Sequence, residues 1–235
     1  KVIGVNPIRS GYNAIADEWV GITPGTDGLF ILALVHELMR AGKMDLDYLA
    51  RYTNAPVLIN SDPKSPEHGL LMRDADGKQL VVDSVTGKLA PFDRPGVRPD
   101  LSATYRHGGV THRPVFHLMV ERYLDPSYSA DAVTERVGIA ADKIRRIAAE
   151  IARVAFDEAI ELDQEWTDFR GETHDKMIGR PVSFHAMRGI SAHSNGFQTC
   201  RALHVLQIIL GTVEVPGGFR FKPPYPKPPE IHPKP

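Results

Sequence analysis

Apolar residues recur along the chain with two periods. Lys1-Val2-Ile3-Gly4-Val5 is a short, nearly continuous apolar run and predicts a buried strand. A polar, turn-rich connection follows, with room for a short helix. Leu29, Phe30, Leu32, Leu34, Val35, Leu38 and Met39 then predict a helix over 26–41. They cover nearly its whole circumference, so this helix is expected to be packed on more than one side. Thr26 and Asp27 suit its first turn and Gly42 its end. A shorter helix is predicted over 46–51 and a second strand over 57–59. Helices are predicted over 115–124 and over 142–156. In the second of these, Ile144, Ile147, Ala148, Ile151 and Ala155 share a face while Lys143, Arg145, Arg146 and Glu150 point away. Later, a strand-like stretch at 182–187 leads through the loop "RGISAHSNG" into an apolar helix over 197–210.

Strands alternating with helices predict an α/β fold, a mostly parallel sheet flanked by helices. The texture changes over 60–109, where short stretches such as Leu80-Val81-Val82 sit between Asp76-Gly77, Thr86-Gly87 and several prolines. This region reads as a short β-hairpin excursion at the surface rather than a second core. The chain thus divides into α/β segments at 1–59 and 110–221 around that excursion. A proline-rich tail or linker at 222–235 suits extended or polyproline II backbone, because proline lacks the N–H that helices and central strands need.

Composition narrows the function classes. At 42% hydrophobic content and a formal net charge of -1, nothing suggests a nucleic-acid footprint or a polybasic membrane surface. The apolar runs are shorter than the roughly 20 residues of a membrane span. The single cysteine, Cys200, excludes an internal disulfide or a protein thiolate cluster. The opening residues read as a strand with neither initiator methionine nor signal peptide, as expected of a portion of a larger protein.

Two junctions share one form: an apolar strand-like stretch, a glycine-containing loop and a helix N-terminus. Free N–H groups at such helix starts favour phosphate. Neither junction carries G-x-G-x-x-G or a P-loop, so plain turn chemistry stands beside the nucleotide reading.

The stretch "VNPIRSGYNAIADEWVGITPGTDGLFILALVHELMRAGKMDLDYLARYTN" resembles the molybdopterin oxidoreductases of the dimethyl sulfoxide reductase family. "GIAADKIRRIAAEIA" and "MRGISAHSNGFQTCRALHVLQIILGTVEVPGGF" are similar to later parts of the same family, in the same order. The resemblance implies part of a large catalytic subunit holding molybdenum bis(molybdopterin guanine dinucleotide), with a 4Fe-4S cluster in an amino-terminal part outside this chain. It carries cofactor binding over to Asn6, Pro7, Ile8, Arg9 and Ser10, and to Gly25, Thr26 and Asp27. A carboxylate at Asp27 can accept two N–H groups from a guanine edge, and it equally suits the helix dipole.

The loop at 188–196 resembles the family's segment beside the pterins. Gly189, Ile190, Ser191 and Gly196 are implied as cofactor contacts, and Arg188 as a fixed cation for a small oxyanion substrate. His193 is implied either as a proton carrier or as a structural residue. The nitrate reductase type has Met and Gln where this chain has Arg188 and Ala192. Cys200 is expected to pack in the core, since the family's metal ligand lies upstream; Asp17, Glu18, Arg201 and His204 are expected to be structural or solvated.

"GRPVSFHAMRGISAHSNGFQTCRALH" looks most like the cytoplasmic, quinone-linked sulfite-oxidising branch, with a membrane anchor and an iron-sulfur electron-transfer subunit as partners. Formate oxidation and the reduction of thiosulfate, polysulfide or tetrathionate remain alternatives within the family. A stand-alone α/β nucleotide-binding module is the alternative outside it.

Overall fold

The structure, a computed structural model, describes residues 1–219. The proline-rich stretch at 222–235 lies outside the described residues. Strand β1 (Ile3–Val5) pairs in parallel with β2 (Glu18–Val20), Ile3 opposite Glu18 and Val5 opposite Val20. Their connection carries one 3-10 turn, Gly11–Ala14, whose Asn13 is buried over Gly4. A Cβ on Gly4 would meet Asn13 Oδ1 at 2.0 Å, so glycine makes room for the turn.

Helix α1 (Asp27–Arg40) is the centre of the main core. Phe30, Ile31, Ala33, Leu34, Val35, Leu38 and Met39 are buried around its circumference, as the run of apolar residues requires. Four helices pack against it: α3 (Val115–Tyr123), α4 (Ala130–Val137), α5 (Ala141–Ala152) and α6 (Gly196–Ile209). They contribute Val133, Val137, Ile144, Ile147, Leu206 and Ile209 to the same core. Helix α5 gives way to a single π turn at Arg153–Asp157, which ends its regular winding before residue 156.

Helix α4 is absent from the periodicity reading because eight residues hold barely two turns of pattern. Its ends are nevertheless marked. Ser129 Oγ accepts the N–H of Ala132 at 3.3 Å, and Gly138 closes the helix in the left-handed region at φ 73°.

The expectation of a mostly parallel sheet is overturned. Beyond β1 and β2, every strand pair among the described residues is antiparallel. β3 (Leu58–Asn60) pairs with β7 (Val110–Pro114), which pairs with β6 (Tyr105–His107). β4 (Leu80–Val82) pairs with β5 (Leu89–Pro91), β8 (Ile160–Leu162) with β11 (Met177–Gly179), and β9 (Trp166–Thr167) with β10 (Thr173–His174). For the tightest pair the physical reason is connection length: a parallel pair needs a crossover of about a dozen residues or more, whereas β6 and β7 are joined only by Gly108 and Gly109, both at positive φ. The stretch at 182–187 pairs with no strand among the described residues.

The excursion after β3 carries the β4–β5 hairpin. A small apolar centre, Val57, Val81, Ala90 and Val97, lies beneath it, where a surface hairpin without a second core is expected. All three residues of β4 are buried. Helix α2 (Leu46–Tyr52) lies between the main core and the β9–β10 hairpin.

Candidate functional site

Two loops meet at the N-terminal ends of α1 and α6. The helices are in close contact there: a Cβ on Gly28 would lie 2.8 Å from Thr199 Oγ1. Gly25, at φ 80° in the turn before α1, has His193 beside it, with Nδ1 4.0 Å from the position a Cβ would take. The loop after β1 touches the segment that leads into the 188–196 loop, the Tyr12 ring meeting His185 edge-on at 6.1 Å. The two junctions singled out by their glycines are thus neighbours in space.

Neither helix start is capped by a side chain. Thr26 precedes α1 but turns its hydroxyl away, donating to the Thr23 carbonyl at 2.7 Å. Asn195 precedes α6 without a side-chain capping bond. The first N–H groups of two 14-residue helices therefore present partial positive charge at one corner. Arg9 and Arg188 are exposed, and neither forms an ion pair among the described residues. Asp27 is half-buried in the first turn of α1. The two helix starts, with the Asp27 carboxylate in the first turn of α1, make a polar corner whose chemistry suits a phosphate ester carrying an N–H-bearing ring.

The predicted loop positions divide by environment. Pro7, Ile8, Arg9 and Ser10 are exposed, and Asn6 is half-buried, its backbone carbonyl accepting the Trp19 indole N–H at 3.0 Å. Arg188–Ser191 forms one 3-10 turn, fastened by Ser191 Oγ donating to the Arg188 carbonyl at 2.9 Å. Gly189 has nothing within 4 Å of where a Cβ would stand, so its backbone is open to approach. Gly196 is buried, and the space a side chain would fill is taken by the Ser191 carbonyl oxygen, 2.1 Å from the Cβ position. Its lack of a side chain serves the packing of the loop on α6.

Cys200 departs from the expected core position. It is half-buried and lines an open cleft of about 300 Å3 between α6 and the segment at 184–191, shared with Arg188 and Gln207. One face of an apolar helix is left uncovered here, and Cys200 falls on that face. Gln207, absent from the sequence reading, is 1% exposed on the same cleft, and its Oε1 has no hydrogen-bond partner among the described residues.

Among the described residues, Asp168, Glu172 and His174 bring ligand atoms within 4.8 Å of one another. Their acceptors are already engaged. Asp168 Oδ1 accepts the N–H groups of Arg170 and Glu172 at 2.9 and 3.0 Å, and Oδ2 lies 3.1 Å from His174 Nε2. Glu172 pairs with Arg51 at 3.1 Å. Burial works against the Asp168 charge, but these bonds hold its carboxyl below the usual value. The cluster ties the β9–β10 hairpin to α2, a signal the sequence hides because Arg51 and Glu172 are far apart in the chain.

Comparison with known proteins decides the family. The whole chain aligns at 44% identity with the A-subunit of the sulfite dehydrogenase of Allochromatium vinosum. The chain belongs to the molybdopterin oxidoreductase family. Other members align over nearly the same span: formate dehydrogenase-O major subunit of Escherichia coli is 25% identical over 93% of the chain. The catalytic A-subunit of a putative dimethyl sulfoxide reductase of Halobacterium salinarum is 29% identical over 63%. Acetylene hydratase from Pelobacter acetylenicus shares the fold, with a TM-score of 0.51 over 93% of the chain at 16% identity. No protein-family model matches. This molybdopterin oxidoreductase chain spans 25% of the length of the sulfite dehydrogenase relative and 18% of the other two. No helix among the described residues is long and apolar enough to cross a membrane.

Proposed function

We propose that the corner at the starts of α1 and α6 holds one part of a molybdenum bis(molybdopterin guanine dinucleotide), and that the intact protein oxidises sulfite. The observation that carries this reading is the meeting of two uncapped helix starts with His193 beside the Gly25 turn. A phosphate-bearing dinucleotide fits what the chain offers there. The N–H groups at the start of α1, with Gly25 and Thr26, take the pyrophosphate, and Asp27 accepts the guanine edge. On this reading Asn6, Pro7, Ile8, Arg9 and Ser10 lie along the same cofactor. Gly189, Ile190 and Ser191 bring backbone alongside the pterin, and Gly196 sets the packing of that loop.

When bound, the cofactor supplies the two-electron chemistry. The net change is sulfite plus water to sulfate, two protons and two electrons. Arg188, an exposed cation with no ion pair among the described residues, fixes the oxyanion. His193, exposed beside the turn, takes up one of the released protons. The electrons leave through iron-sulfur clusters, including a 4Fe-4S cluster in the amino-terminal part and those of an iron-sulfur partner subunit, to a membrane anchor that reduces quinone, the complex facing the cytoplasm. The identity with a sulfite dehydrogenase supports this substrate over formate, and that relative's being one subunit of its enzyme supports a multi-subunit assembly.

Activity of the full-length protein with sulfite, formate and thiosulfate tests the reading. Sulfite is expected as the preferred substrate. Arg188→Ala should lower kcat/KM for sulfite about 100-fold, the scale of losing one charge-stabilising contact. Unchanged sulfite kinetics in that variant would remove Arg188 from the site; activity with formate alone would overturn the substrate.

A further inference from the structure

The entry to α6 is an Asn195-Gly196 pair, and its amide is idle. The Asn195 side chain is exposed, caps nothing at the helix start and makes no hydrogen bond among the described residues. The residue after it has no side chain to shield its backbone nitrogen. An asparagine so placed reacts with the chain that follows. The Gly196 nitrogen attacks Asn195 Cγ, ammonia leaves and a succinimide closes; water then opens the ring to aspartate or isoaspartate. The conversion needs neither oxidant nor catalyst.

The closed fold holds this reaction back. The Gly196 N–H donates to the His193 carbonyl at 2.9 Å, and the Thr199 N–H and hydroxyl donate to the Asn195 carbonyl at 3.0 and 3.3 Å. Asn195 stands at ψ 12°, far from the angle that brings Cγ onto the next nitrogen. All of these restraints belong to the first turn of one helix. Helix ends open at little cost, the more so where no side chain caps them.

We propose that Asn195-Gly196 is a self-modification site exposed while the corner is empty and shielded once it is filled, so that deamidation marks protein that has not taken up its cofactor. The converted residue carries a carboxylate at the start of α6, where it competes for the N–H groups an anionic ligand would meet. Conversion therefore weakens later loading. The gating rests on the cofactor reading above; the conversion does not.

Full-length protein made in a host lacking the molybdenum cofactor and the same protein made in a host supplying it are aged side by side and followed by peptide mass spectrometry. Conversion at Asn195 is expected to run about tenfold faster in the unloaded protein, because a bound anion stabilises the closed first turn. Asn195→Asp from the supplying host should carry less molybdenum than Asn195→Gln, which changes shape without adding charge. Equal conversion rates in the two proteins, or none in either, would overturn the proposal, as would equal molybdenum in the two variants. Activity with formate instead of sulfite would overturn the substrate reading alone.

Discussion

Arg180 Nη2 lies 2.7 Å from Asp45 Oδ2, joining residues 135 positions apart. The Arg180 guanidinium also donates to the Ala155 carbonyl at 3.2 Å and lies over the Phe156 ring, 4.9 Å from its centroid. Asp45 meanwhile caps α2, accepting the Tyr48 N–H at 2.9 Å, and its own N–H donates to the Ile209 carbonyl at 2.8 Å. The pair thus anchors the end of α5, the start of α2 and the end of α6 at the point where the chain sets out toward the 188–196 loop.

Breaking this anchor should be costly, because both side chains are largely shielded. Asp45→Ala removes the cap and strands the guanidinium. It is expected to lower the unfolding free energy by about 3 kcal/mol in urea titrations. Asp45→Asn, which keeps a capping oxygen, should fall between that variant and the wild type.

The two glycines of the loop should respond oppositely to alanine. At Gly196 the new Cβ meets the Ser191 carbonyl, so the loop must shift at a cost of about 2 kcal/mol. At Gly189 there is open space, and stability should change by no more than about 0.5 kcal/mol. Cofactor content of the full-length Gly189→Ala protein should nevertheless fall. Full loading in that variant would remove Gly189 from the cofactor's path.

Acid and alkali should each act on the α2–hairpin junction. The folded pKa of Asp168 lies below its ordinary 3.8, because its hydrogen bonds outweigh the effect of burial. Its contribution is whole above about pH 4 and is lost as pH falls through the lowered value. The Tyr52 hydroxyl donates to Asp168 at 3.4 Å and is pushed up to about 12, first by burial and then by that carboxylate. Its contribution is whole below pH 10.0 and is lost as pH rises toward 12. Asp168→Asn should flatten the acid limb of a stability profile, and Tyr52→Phe the alkaline limb.

Ser129→Ala should cost about 1 kcal/mol, the usual worth of a helix cap. Hydrogen exchange is expected to quicken first in α4.

The sequence patterns that proved legible are those long enough to repeat. Helices α1, α5 and α6 each present three or more turns, and their apolar periodicity identifies them. The strands run two to five residues, too few to show a period or a direction, and so antiparallel hairpins pass for members of a parallel sheet. The candidate loops stand out in the sequence through glycine, proline and the family resemblance. Their adjacency was not, since it depends on α1 and α6 touching at Gly28 and Thr199. Gln207 stayed hidden because it follows the exposed Arg201 and His204 at three-residue spacing and so reads as pointing to solvent; only the packing around it shows that it is buried.

The contact at Gly28 also has a mechanical side. It presses two like-signed dipole ends together, and the Asp27 carboxylate in the first turn of α1 offsets only one of them, so a further negative group between the two is stabilised. An anion there is a counterweight as much as a ligand: loading the corner should slow hydrogen exchange at the first turns of α1 and α6 together. Folding and filling would then be two halves of one equilibrium, with the protein at its stiffest only once it is charged.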